Sequence, residues 1–211
     1  MAAVISLNVV HAEVPDVGGS VGITAIDKRA VADRRIVTSD GVTGDKRSDM
    51  QHHGHSDQAV YAYAAEDYAW WTQQTGRDFS AGFFGENLTT TGIDWNDMTI
   101  GTVVHVGTAV LQVSTARFPC GTFQRWIKEE QWVKRFTDAG RCGAYLRVLE
   151  SGEIGLGDEI VVADVPDHNV SIQDLLHVWA GTRQETQLRR VAECVDTPDT
   201  LREKALKALA L

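Results

Sequence analysis

Over the first fifty positions, short β-favouring runs alternate with Gly and Asp, at residues 4–10, 21–26 and 35–38. Each reads as a strand, the first interrupted by the polar Ser6 and Asn8. From 58 to 74 there is no Gly or Pro, and Val60, Tyr63, Ala64, Asp67 and Trp71 fall at three- and four-residue steps. That spacing predicts a helix with Asp57 as N-cap and Gly76 as stop. A Gly-punctuated loop from Phe79 then runs into a short strand near Leu88. Alternating apolar positions at 103–106 and 109–115 predict a hairpin across Gly107. Trp126, Ile127, Trp132, Val133 and Phe136 mark a second helix over 123–138, closed by Gly140 and Gly143. Strands at 144–149 and 158–163, joined by a turn at 150–153, complete a mixed α+β body, a β-barrel or sandwich with inserted helices.

Beyond Pro166 the strand signal stops, and three helices are predicted at 171–179, 184–194 and 198–209. Ser171 and Thr197 are the expected N-caps, and Pro198 suits a first helical turn. The expected division is a β-rich domain over 1–165 and a three-helix domain over 166–211.

Composition narrows the function classes. With 211 residues, 43% hydrophobic, 23% charged, 19 Gly and 4 Pro, the chain is globular and large enough for a real core. A net charge of -9 argues against a protein that coats DNA or RNA. No apolar run approaches the roughly 18 residues of a membrane helix, and the N-terminus lacks the basic region of a signal peptide. Three cysteines without a CxxC pair suit a reducing compartment, so a cytoplasmic location is expected.

Three stretches could carry chemistry. Cys120 ends the turn Arg117-Phe118-Pro119-Cys120-Gly121 directly after a strand, with a cation three residues back. A thiol so placed could be a nucleophile or a soft metal ligand, or simply a small buried apolar group. For Cys142 and Cys194 the buried reading is preferred. Between Gly41 and Val60, the polar loop that holds Asp45, Asp49, His52, His53, His55 and Asp57 leads to a predicted helix start, which suits an oxyanion. A zinc site there lacks Cys partners at ligand spacing. In Gly82-Phe-Phe-Gly85-Glu86-Asn87, a carboxylate and an amide sit in apolar surroundings, where such groups are either paired or used. No GxSxG elbow, Walker A loop or GxGxxG after a strand is present. Trp70, Trp71, Trp126 and Trp132 read as core.

Taken in order, these motifs resemble the MOSC domain family, the module at the C-terminus of molybdenum-cofactor sulfurases. The likeness is strongest to its stand-alone bacterial YiiM-like members with a C-terminal three-helix extension. It rests on Ile26-Asp27-Lys28-Arg29, Gly41 with Gly44-Asp45, His52-His53-Gly54, Asp57, Gly85-Glu86-Asn87-Leu88, the Arg117 to Cys120 turn and Gly157-Asp158. The resemblance implies a β-barrel-like fold that holds a molybdenum cofactor (molybdopterin), with Cys120 as metal ligand and catalytic centre. It also implies cofactor contacts from Lys28, Arg29, His52, His53, Gly54, Asn87 and Arg117. The implied activity is reduction of small N-hydroxylated compounds, such as hydroxylaminopurines and amidoximes. A separate reductase would be the electron donor, since three scattered cysteines cannot hold a cluster. The alternatives are a sulfur carrier through a Cys120 persulfide, and a module that stores or delivers molybdopterin. The helical extension is a place for homodimer contact or partner docking. His55 and Gln58 stand where the family more often has Gly and a basic residue.

Overall fold

Thirteen residues, Ala3–Pro15, form strand β1. Its polar interruptions, Ser6 and Asn8, are buried because each finds a partner: Ser6 Oγ donates to Asn8 Oδ1 at 2.7 Å, and Asn8 Nδ2 to Thr89 Oγ1 at 3.0 Å. The computed structural model describes residues 1–48 and 56–210. A Gly-rich tip carries β1 into β2, Ile23–Val31, and the two pair antiparallel with two register shifts. β3, Arg35–Thr38, and β4, Gly41–Val42, follow.

At 56–58 there is a single 3-10 turn, in which the Asp57 carboxylate pairs with Arg147 at 3.0 Å instead of capping an α-helix. The helix expected over 58–74 is two elements. Val60–Ala64 is strand β5, every residue buried, and Ala65–Thr75 is helix α1, which ends on Gly76 as expected. β5 lies between neighbours on both sides and is covered on both faces, so its residues show no in/out alternation. Three- and four-residue steps through Tyr63, Ala64, Asp67 and Trp71 then imitated a longer helix. α1 supplies the crossover that lets β6, Leu88–Thr91, pair parallel to β5, the one parallel contact in the sheet among the described residues.

β7, Val103–Val106, and β8, Ala109–Ala116, form the expected hairpin. The second expected helix is broken into α2, Gly121–Ile127, and α3, Trp132–Ala139. Lys128 and Gln131 hold left-handed backbone at φ 59° and 52°, turning the chain between them. The turn keeps Phe123, Ile127, Trp132 and Phe136 all fully buried. β9, Ala144–Glu150, is followed by β10, Gly152–Ile154, which leaves the main sheet to pair with β3, and by β11, Ile160–Asp164. β9 and β11 therefore do not pair across a turn.

The main sheet runs β11-β7-β8-β9-β5-β6-β1-β2, and a smaller one runs β10-β3-β4. The mixed α+β class holds, but the sheet is not a closed barrel. Among the described residues, an isolated bridge between Ala3 and Glu159 ties β1 to the chain just ahead of β11.

The last helices are α4, Ile172–Ala180, α5, Glu185–Glu193, and α6, Asp199–Leu209. Ser171 caps α4 in a reciprocal box: its Oγ accepts from Asp174 N–H, and Ser171 N–H donates to the Asp174 carboxylate. Thr197 does not cap α6, whose N-cap is Pro198; the Thr197 hydroxyl is buried without a partner. Cys194 lies just past α5. Leu175, Leu176, Val191 and Ala205 join the same buried apolar core as the sheet. No helix of the described residues is long and apolar enough to cross a membrane.

Candidate functional site

One cavity of about 610 Å³ gathers half of the eight site residues expected from the sequence. Its size falls in the range of small-molecule sites. Lys28, Asn87, Arg117 and Cys120 all line it. Arg29 does not: as the next residue of β2 it projects to the other face, is 61% exposed and pairs with Asp27 at 3.0 Å. His52, His53 and Gly54 lie outside the described residues.

Cys120 is placed by the end of β8. The strand stops at Ala116, Pro119 fixes the turn, and Cys120 takes extended backbone at the N-cap position of α2, its side chain exposed and not used as a cap. The other thiols differ in kind. Cys142 and Cys194 are buried, and burial pushes the Cys142 thiol up to about 12. Of the three, only Cys120 is open to a reagent or substrate from solvent.

Arg117 is 7% exposed, and its guanidinium lies 3.7 Å from the centre of the Phe123 ring. Nη1 donates to the Phe118 carbonyl at 3.2 Å. Among the described residues no carboxylate pairs with Arg117, which is unusual for a buried cation and points to an anionic partner from the cavity side.

Lys28 also lines the cavity and pairs with Asp45 at 2.7 Å, both side chains largely buried. Asp45 also accepts from Val10 N–H at 2.9 Å and from Asn87 Nδ2 at 2.8 Å. Asn87 Nδ2 gives its second proton to the Asn8 carbonyl, while Oδ1 accepts from Tyr61 N–H. Both Asn87 donors are thus spent on the protein, and the residue positions the wall instead of offering a ligand a hydrogen bond. Glu86 is fully buried and accepts from Tyr68 Oη, Thr89 Oγ1 and Gly82 N–H at 2.6 to 2.8 Å. Burial raises its pKa against those bonds. It anchors the loop ahead of β6. In that loop Gly82, at φ 84°, backs directly onto β2, where a Cβ would stand 2.5 Å from the Lys28 carbonyl.

Further lining residues carried no sequence signal of their own. Arg125 grips Asp16 with Nε and Nη2 at 2.6 and 2.9 Å, and Thr122 Oγ1 donates to the same carboxylate at 2.7 Å. This ties the tip between β1 and β2 to the first turn of α2. The Arg125 hydrogen bond holds the Asp16 carboxyl below its usual range. Tyr145 comes from β9, beside β8, and burial raises its hydroxyl pKa although Arg117 pulls the other way. Trp179, at the end of α4, stacks on Phe118 at 5.3 Å and 13°. The lining carries Lys28, Lys46, Arg47, Arg117 and Arg125 against Asp16 and Asp45, the reverse of the chain's overall charge.

Elsewhere, ligand atoms of His168, Cys194 and Asp196 lie within 4.8 Å of one another. Val170 N–H donates to His168 Nδ1 at 3.0 Å, which puts the ring proton on Nε2, facing Asp196 Oδ2 at 3.2 Å. A neutral imidazole that binds metal through Nε2 carries its proton on Nδ1, so the contact opposes metal binding.

The MOSC domain matches residues 49–161. "Uncharacterized protein YflK" of Bacillus subtilis is 32% identical over 171 residues, covering 81% of this chain and 77% of that one. A protein named "Reductase" from Gibberella moniliformis is 31% identical over 164 residues, 76% of this chain and 29% of the fungal one. Among solved structures, YiiM from Geobacillus stearothermophilus superposes with a TM-score of 0.81 at 27% identity, over 99% of this chain and 100% of that one.

Proposed function

The chain belongs to the MOSC domain family, and from that premise we propose that it reduces small N-hydroxylated compounds at a molybdenum-pterin centre held through Cys120. The observation that carries the reading is the pairing, on one cavity, of an exposed thiol with a buried cation that has no carboxylate partner among the described residues.

The donor set fits the group. A cysteine thiolate is a strong ligand for an oxidised metal, and metal binding itself favours loss of the thiol proton. The cofactor's phosphate needs cationic donors, which Lys28 and Arg125 supply, held in place by Asp45 and Asp16, while Arg117 is left for an anionic group beside the metal. Phe118 and Tyr145, both only partly buried, give the flat wall that a pterin and a heteroaromatic substrate need. When bound, the cofactor would supply two-electron oxygen chemistry.

The overall change is R–NH–OH + 2e⁻ + 2H⁺ → R–NH₂ + H₂O. The N–O bond breaks, nitrogen is reduced and the oxygen leaves as water. The chain's own residues bind and orient. Arg117 offers fixed positive charge where an oxygen gains electron density. The Tyr145 hydroxyl, with its pKa above the ordinary tyrosine value, stays protonated at neutral pH and keeps an O–H donor on the wall. Electrons would come from a separate reductase. The fungal relative named "Reductase" supports this class of reaction.

The test is turnover of an N-hydroxylated purine base by full-length protein from a cofactor-competent, molybdate-fed host, with a chemical reductant as electron source. Conversion to the amine by wild type and its loss in Cys120→Ser is the expected result. Equal conversion by both proteins, or none by cofactor-loaded wild type, overturns the reading. In the latter case persulfide uptake by Cys120 becomes the next measurement.

A further inference from the structure

Trp179 is the residue through which the C-terminal helices enter the cavity. It stands in the last turn of α4, which stops at Gly181 in left-handed backbone, φ 89°. Its indole stacks nearly flat on Phe118, two residues before Cys120. The Lys204 ammonium of α6 bonds the Trp179 carbonyl, and its charge lies 6.0 Å from the indole centre. Two helices beyond the MOSC match therefore fix this ring at the wall beside the thiol.

From this we infer that the Trp179–Phe118 pair is a specificity platform that selects planar aromatic substrates, so that the C-terminal helices are part of the substrate site. This deepens the proposed function and rests on it for the reaction, although the contact itself is a matter of binding. The chemistry is that of two stacked rings forming one apolar, polarisable wall. A flat heteroaromatic ring gains dispersion and offset stacking there, which an alkyl hydroxylamine of similar polarity does not. Trp71, Trp95 and Trp132 are sealed in the core and Trp70, Trp126 and Trp179 are partly buried, but of the six only Trp179 lines the cavity. Phe118 is likewise partly buried, although Arg117 and Pro119 on either side are buried.

The experiment compares full-length, cofactor-loaded wild type with Trp179→Ala and Trp179→Phe. A hydroxylaminopurine and a short-chain alkyl hydroxylamine are the substrates, with a chemical reductant. Trp179→Ala is expected to lower kcat/KM for the purine about tenfold and to leave the alkyl compound within about twofold. Trp179→Phe should restore most of the loss. A fall of equal size on both substrates would overturn the platform, because it reports structural damage. A second arm needs no turnover: adenine titrated into wild type should quench a share of the tryptophan fluorescence that is missing in Trp179→Phe. If wild type reduces neither substrate but that share is quenched, the platform stands and the proposed reaction falls. If adenine quenches both proteins alike, the platform falls whatever the activity.

Discussion

At the scale of single residues, the three cysteines show how burial divides one chemistry into two. Cys120 is exposed beside cationic groups, while Cys142 is sealed and its thiol held near 12. A thiol reagent at neutral pH should label the cofactor-free native protein once and rapidly, at Cys120, and reach all three only after unfolding. Peptide mapping after brief alkylation checks this, and rapid modification of Cys142 would contradict it. Asp16 makes a second residue-scale case. Its carboxyl is held below the usual range first by the Arg125 hydrogen bond. A lowered folded pKa means stability that is complete above the unfolded value of about 3.9 and is lost as pH falls through the folded one. Asp16→Asn should therefore lower the urea midpoint at pH 7 more than in acid strong enough to protonate the folded carboxyl. An equal gap at both pH values would show that the pair contributes nothing through its charge. Cys120 was legible because an R-x-P-C turn after a strand is a local pattern. Arg125, Tyr145 and Trp179 were not, since each reaches the cavity from an element whose placement no local pattern reveals. Lys28 and Arg29 show the same limit in miniature: strand alternation sends neighbours to opposite faces, and the sequence did not say which face was the site.

At the scale of elements, local signals worked where one face of an element is buried and failed where both are. The β7–β8 hairpin and the three C-terminal helices lie close to their expected bounds. The segment 58–74 does not, because β5 is covered on both faces and the helix of α1 follows it without a break. The split between α2 and α3 was also hidden, since Lys128 and Gln131 adopt left-handed backbone without being Gly or Asn. Ser171 was readable as a cap because capping is a contact between residues three apart. Ser171→Ala should destabilise the protein by about 1 kcal/mol, seen as a lower urea midpoint with an unchanged slope. No change in midpoint would mean that Asp174, which also binds Gln187 and Arg190, holds the start of α4 alone.

For the whole molecule, an acidic chain surrounds a cavity whose charged lining residues are mainly basic, and contributions to that lining come from β2, the loops after β4 and before β6, the end of β8, β9 and α4. The α+β class was visible in the alternation of strand and helix signals. The open order of the sheet was not, because which strands become neighbours is decided by long-range packing. The central claim is that this cavity holds molybdenum through Cys120. Its most direct test is the molybdenum-to-protein ratio of full-length protein from a molybdate-fed, cofactor-competent host, measured for wild type and Cys120→Ala. Because Cys120 is exposed, the variant should keep its stability to within about 0.5 kcal/mol, so a difference reports ligation and not folding. We expect close to one molybdenum per wild-type chain and its loss from the variant; equal molybdenum in both, or none in wild type, would contradict the account.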